Sequence, residues 1–180
     1  MNDKILNFCF VIVRFCFKFL PLKNAIIFES NPDFSDNSLS LYHEIIKRGY
    51  NKKYKIVWLL NGKEKPLDLP ENVYVKRRTY GSILEKLSVQ WEIAQAKYII
   101  DSNNFVYKYK KRQVRFHLKH GLPMKDATHY NKTIGEIDAL CVPSDYWIDV
   151  CSKEHGVPKT LVKPLGFPRN DILVPQTHKY

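Results

Sequence analysis

What most constrains the fold of this chain is a repeated change of hydrophobic period. Short, nearly continuous apolar runs alternate with stretches whose apolar residues recur every three or four positions. The runs are NAIIFES (24–30), YKIVWLL (54–60), NVYVKRR (72–78), KYIIDSNN (97–104), QVRFHLKHG (113–121), IDALCVPS (137–144) and TLVKPLGFP (160–168). Between them, LSLYHEIIKRG (39–49), YGSILEKLSVQWEIAQA (80–96) and DYWIDVCSKEHG (145–156) carry helical spacing. Apolar runs without alternation belong to strands buried on both faces, and intervening helices make right-handed crossovers between parallel strands. The pattern predicts an α/β domain with a mostly parallel, Rossmann-like sheet. Asn37 or Ser38 is expected as the N-cap of the first helix, and Gly49 as its C-terminal stop.

The chain has 180 residues, 44% of them hydrophobic, enough for one domain with a real core. No linker or repeat divides it after residue 23. The expected organisation is a segment 1–22 followed by a single domain 23–180.

Residues 5–22, ILNFCFVIVRFCFKFLPL, are apolar but carry Arg14 and Lys18 inside the run and end on Pro21. A membrane-spanning helix needs about 20 largely uninterrupted apolar residues, and a signal peptide carries its charge ahead of the apolar stretch. On a helical wheel Lys4, Asn7, Arg14 and Lys18 share one sector, while Phe8, Phe10, Phe15, Phe17 and Phe19 cover the rest. That arrangement predicts an amphipathic helix lying at an anionic membrane surface. The competing expectation is a first helix packed on the domain.

There are 29 basic and 18 acidic residues, a net charge of +11, which favours an anionic partner. Lys108, Lys110, Lys111, Arg112 and Arg115, interleaved with Tyr107 and Tyr109, read either as a polyanion-binding stripe or as a solvated edge. No helix-turn-helix, RRM or KH pattern accompanies the charge, so nucleic acid is not the expected partner. Cys9, Cys16, Cys141 and Cys151 form no CxxC pair and lie in apolar stretches, which predicts neither zinc nor disulfides.

Open α/β sheets bind ligands beyond the carboxyl ends of their strands. The loops there are 30–38, 101–104, 120–125 and 143–145, all rich in polar residues. Within them, KHGLPMK places His120 at a strand end, Gly121 beside it for a sharp turn, and Lys125 five residues on. An imidazole can take a proton from a hydroxyl, and a nearby lysine can hold a phosphate. Together they are minimal equipment for phosphoryl transfer to an alcohol. Taken alone, the stretch favours a histidine that only satisfies a backbone carbonyl over a catalytic one. Neither GxGxxG nor GxxxxGK[ST] occurs, and no carboxylate cluster predicts a metal. His117 shares a strand face with Lys119 and is the weaker candidate. His43, inside the first helix, is expected to be exposed or satisfied in the core.

Taken in order, FESNPDFSDNSLSLY, YKIVWLL, AQAKYIIDSNN, HGLPMK, DALCVPSDYW and GFPRNDIL resemble the CDP-glycerol glycerophosphotransferases, which make teichoic acids and related capsule polymers. The resemblance runs over nearly the whole chain. It implies one Rossmann-like half of a two-domain GT-B architecture, peripheral on the cytoplasmic membrane face. The implied reaction moves glycerol phosphate from CDP-glycerol to a hydroxyl of a lipid-linked or poly(glycerol phosphate) acceptor. His120 is the implied base, with Asp36, Asn37, Lys125 and Arg169 on the acceptor and phosphate side; Arg169 and Asp171 are also readable as a turn and helix start. No cofactor or metal is implied, and the donor nucleotide falls to a C-terminal domain expected beyond GFPRNDIL. The family motif is commonly Trp-His-Gly-Thr-Pro-Leu-Lys; here Lys119 stands for the tryptophan and Leu122 for the threonine.

Overall fold

The computed structural model describes residues 12, 13, 15–62, 68–79, 82–103, 106–122 and 136–173. Its centre is an all-parallel sheet of seven strands: β1 (Lys23–Glu29), β2 (Lys55–Leu60), β3 (Val73–Arg77), β4 (Ala96–Asp101), β5 (Val114–His117), β6 (Ala139–Val142) and β7 (Val162–Pro164). They lie in the order β3-β2-β1-β4-β5-β6-β7. The expected Rossmann-like sheet is therefore present, with each strand on one of the apolar runs. Helix α1 (Asp36–Lys47) joins β1 to β2, α2 (Ile83–Gln95) leads into β4, and α3 (Ile148–His155) joins β6 to β7.

Successive side chains of a strand point to opposite faces, so each run feeds two cores. Ala25 and Ile27, with Val57, Leu59 and Ile99, pack under Val89, Ile93 and Ala94 of α2. Ile26 and Phe28, with Ile56, Trp58 and Ile100, pack under Tyr42 of α1 and the partly buried Ile45. Leu140, Val142 and Val162 pack against Cys151 of α3. Burial on both faces is what removes the polar alternation from β1 and β2.

The helix ends have local causes. Gly49 (φ 70°) and Gly156 (φ 63°) take the left-handed conformation that ends α1 and α3. Helix α2 starts on a capping box: Glu85 N donates to Ser82 Oγ, and Ser82 N donates to Glu85 Oε2. Helix α1 departs from expectation, because Ser35 is its N-cap and Asn37 and Ser38 lie inside its first turn. Their side chains are buried and bond to strand ends instead of capping.

Part of the basic run is taken up by contacts within the fold. Lys108 Nζ lies 2.8 Å from Asp138 Oδ2. Lys110 Nζ donates to the carbonyls of Leu20 and Ala94, and Arg115 is fully buried against Asp101. Lys111 and Arg112 remain exposed.

At the N-terminus, residues 15–17 are helical. Phe17 and Leu20 pack against the α2 core, with the Phe17 ring 5.5 Å from that of Trp91. Ile12, Phe15 and Phe19 face outward. Residues 1–11 and 14 lie outside the described residues. Among the described residues, no helix is long and apolar enough to cross a membrane.

Candidate functional site

Strand order reverses between β1 and β4: β1 connects toward β2 on one side and β4 toward β5 on the other. The two adjoining loops diverge there and open a crevice at the strand ends. Asn31 N donates to Asn103 Oδ1 across it at 2.8 Å, and Ser38 Oγ lies 2.7 Å from Ser102 Oγ.

Four of the five residues expected from the sequence meet at this crevice. His120 is exposed, and its Nδ1 lies 3.3 Å from the Ser102 carbonyl. A carbonyl oxygen only accepts, so Nδ1 carries the hydrogen of this contact, which leaves the lone pair of the neutral ring on Nε2. Arg169, in the 3₁₀ turn Pro168–Leu173, donates from Nη1 to Asp36 Oδ1 at 2.6 Å and to the His120 carbonyl at 2.9 Å. Its backbone N donates to Asn37 Oδ1, while Asn37 Nδ2 donates to the Lys119 carbonyl at 2.7 Å. Asn37 thus ties α1, the end of β5 and the last turn together. Asp36 sits at φ 60°, a strained conformation for a residue with a Cβ, and its carboxylate also accepts from Asn37 N. Lys125 lies outside the described residues. His43 is exposed on α1.

Behind the crevice lies a buried polar layer that the sequence reading did not assemble. Arg115, His117 and Lys119 alternate along β5 and its extension, so they share one face. Asp101, at the end of β4, accepts from Arg115 Nη2 at 2.5 Å and from His117 Nδ1 at 2.8 Å. Burial alone would raise the Asp101 carboxyl; His117 and Arg115 outweigh it and hold it below the usual carboxylate range. Lys119 Nζ lies 2.5 Å from Glu154 Oε2 and 2.9 Å from His155 Nε2. Burial, then Lys119, pushes His155 down to about 2, so it stays neutral. The alternation concealed it: β5 exposes Phe116 and half-buries Val114 while Arg115 and His117 turn inward, and polar residues so buried need partners on the facing elements.

Glu29, the last residue of β1, is also wholly buried. Its Oε1 receives Asn61 Nδ2 at a long 3.4 Å, and its Oε2 has no hydrogen-bond partner among the described residues. Burial and the neighbouring Asp101 raise its carboxyl from 4.5 to about 7, against the opposing pull of Arg78, Asn103 and Asn61. Between these values the folded state holds a proton that the unfolded state has lost, so stability falls as pH rises through that window. Glu29→Gln removes this slope. Its advantage over the parent is expected to grow from nearly nothing at pH 4.5 to about 3 kcal/mol above pH 7. Urea unfolding at pH 5 and pH 8 checks this; an equal difference at both values would refute it.

An apolar groove of about 760 Å³ lies on the α1 side of the sheet, lined among others by Ile45, Tyr98, Phe116, Cys141 and Leu165. Asp36, Asn37, His120 and Arg169 do not line it. The crevice is a surface site at the strand ends. Among the described residues, no group of three His, Cys, Asp or Glu side chains is placed to hold a metal ion.

The model of the family described as CDP-Glycerol:Poly(glycerophosphate) glycerophosphotransferase matches residues 12–180. The chain belongs to this family. Among solved structures, the wall teichoic acid polymerase TagF is similar at a TM-score of 0.71 and 18% identity, over 89% of this chain and 44% of that one. A TagF variant soaked with CDPG is similar at a TM-score of 0.73 and 17% identity, over 93% of this chain and 45% of that one. At such identities the likeness establishes the fold. This glycerophosphotransferase-family chain spans somewhat under half the length of TagF. No curated protein matches it.

Proposed function

We propose that this chain is the acceptor-side half of a glycerophosphotransferase, with His120 as the general base. The observation that carries the reading is the His120 ring itself, exposed at the switch point with Nδ1–H directed at the Ser102 carbonyl. Its free Nε2 takes the proton of the acceptor hydroxyl. The hydroxyl oxygen bonds to the glycerol-bearing phosphorus of CDP-glycerol, the bond from that phosphorus to the CMP oxygen breaks, and CMP leaves. Arg169, with 41% of its side chain exposed, faces the phosphate of donor or acceptor; Asp36 orients Arg169 and offers oxygen to a glycerol hydroxyl. Asn37 holds the frame, and Lys125 adds a second cation. The donor nucleotide is bound by a separate C-terminal domain.

The test is CMP release from CDP-glycerol with a poly(glycerol phosphate) acceptor, the donor-binding domain being supplied in cis or in trans. Arg169→Ala is expected to lower kcat/KM by about tenfold to a hundredfold through the lost charge-assisted contact. Absence of CMP release in the parent protein would refute the catalytic reading. Acceptor binding without CMP release would instead favour a non-catalytic module gripping glycan phosphate, a reading supported by the Lys119 and Leu122 departures from the family motif.

The acceptor is proposed to be membrane-linked, and the protein peripheral on the cytoplasmic face. The outward Ile12, Phe15 and Phe19 beside the exposed Lys18 support this. Removal of residues 1–22 is expected to abolish co-sedimentation with vesicles of anionic lipid; unchanged pelleting would assign the segment to packing alone.

A further inference from the structure

We infer that Lys119, held by Glu154 of α3, is the positioning residue that aims His120. The inference rests on the reading of His120 as base and names what sets its geometry. Strand β5 ends at His117, and Leu118 N still donates to the Asp101 carbonyl at 2.8 Å. Lys119 then turns into the left-handed region at φ 53°. A residue with a Cβ keeps that conformation only where surrounding contacts hold it. Both ends of Lys119 are held. Its carbonyl accepts from Asn37 Nδ2 at 2.7 Å, and its Nζ, buried with the side chain, meets Glu154 Oε2 at 2.5 Å and His155 Nε2 at 2.9 Å.

The turn has a direct consequence for the next residue. Strict strand alternation would put residue 120 on the face of Phe116 and Leu118. The left-handed step at Lys119 instead sets the His120 ring over the Ser102 carbonyl at the end of β4. The His120 carbonyl is in turn held by Arg169 Nη1 at 2.9 Å. The imidazole tautomer that leaves Nε2 free thus depends on a backbone turn whose side-chain anchor is the Lys119–Glu154 pair. His155 completes the anchor as a neutral acceptor, kept so by its burial and by Lys119. Where the family motif commonly carries tryptophan, this chain carries a lysine whose ion pair reaches into α3.

The test uses the full chain and reads the His120 ring by nitrogen NMR, alongside CMP release with the donor-binding domain present. Removing one charge would leave the other buried and alone, so both go together in Lys119→Met/Glu154→Leu. The expected result is loss of the Nδ1–H tautomer as the main neutral form of His120. Turnover is expected to fall about tenfold to a hundredfold, with KM for CDP-glycerol unchanged, as befits a misaimed base. Glu154→Asp, which keeps the charge but draws it back from Nζ, is expected to give an intermediate loss of both the tautomer and the rate, and it decides the matter if the double variant does not fold: no change in either would overturn the anchor. Lys159→Met, at the exposed Lys159–Asp149 pair of the α3 region, is the control and leaves both readings in place. An Nδ1–H signal and a turnover unaltered in the double variant overturn the anchor while the base reading stands. His120 carrying its hydrogen on Nε2 in the parent protein overturns the reading of the site, and the anchor with it.

Discussion

With His120 in its proposed role of general base, replacing it with alanine is expected to lower glycerol-phosphate transfer by about 10²–10⁴-fold, the usual contribution of such a group. The ring is exposed and, among the described residues, its hydrogen bond is to the Ser102 carbonyl, so its loss leaves the core intact. The deficit is expected in kcat, with KM for CDP-glycerol within about a factor of two or three, because only the transition state uses the Nε2 lone pair. His120→Gln is expected to be nearly as slow: its amide fills the space and has no basic nitrogen. The measurement is CMP release at saturating donor, with circular dichroism to show that both variants fold. Turnover of either variant within about threefold of the parent would remove His120 from the chemistry and leave it as a carbonyl-satisfying strand-end histidine.

Replacing Asp101 with alanine is expected to destabilise the domain by about 3–5 kcal/mol, the range found when one partner of a buried pair is removed. Both Asp101 and Arg115 are fully buried, and His117 is nearly so. The lost carboxylate accepts from both, at 2.5 and 2.8 Å, and burial denies those donors water as a substitute. Against a total stability of about 5–15 kcal/mol, this is a large share. One term runs the other way: Asp101 is the second cause of the high Glu29 carboxyl, so Glu29 ionises more easily in the variant. The acid limb should change as well. Asp101 is held below its ordinary 3.8, so the parent has that stabilisation above 3.8 and loses it as pH falls through the lower folded value. In Asp101→Ala that loss on acidification is absent. Urea titrations between pH 3 and pH 8 read both effects; a loss of less than about 1 kcal/mol at pH 7 would show that the pair is not what holds these strands' ends together.

These two residues mark how far the sequence could be read. His120 was visible because it stands where an apolar run breaks into a glycine turn, a local pattern. Asp101 was visible only as a polar strand end. Its partners lie 14 and 16 residues away in the next strand, and pairing them requires the β4–β5 register. Ser82 and Glu85 show the reverse case: the capping box is a four-residue signal that was present in the sequence and passed over. The misplaced start of α1 had a different cause. Asn37 and Ser38 are good caps by residue type, but their side chains bond to β5 and β4 ends and to Glu29, contacts that outweigh a local cap.

The basic run from Lys108 to Arg115 makes the same point about charge. Formal charge is a sum over residues, and it cannot tell a solvated lysine from one bonded inside. Lys108 and Arg115 have acidic partners, Asp138 and the buried Asp101, and Lys110 satisfies carbonyls of the N-terminal segment and α2. The positive stripe at this edge is therefore weaker than its five basic residues imply, while the net +11 already subtracts their acidic partners.

Hydrophobic period, turn residues and chain length act over neighbouring positions. From them alone came the seven strands, the three helices, a mostly parallel sheet and a polar mouth that includes His120; Asp36, Asn37 and Arg169 entered as site residues only through the family resemblance. Strand order, and with it the crevice between β1 and β4, comes from packing between distant segments. So do the inward turn of Arg115, the Lys119–Glu154 anchor and the high carboxyl of Glu29. Such groups are set by burial and by the nearest opposite or like charge, and both are properties of neighbours in space that a linear chain does not record.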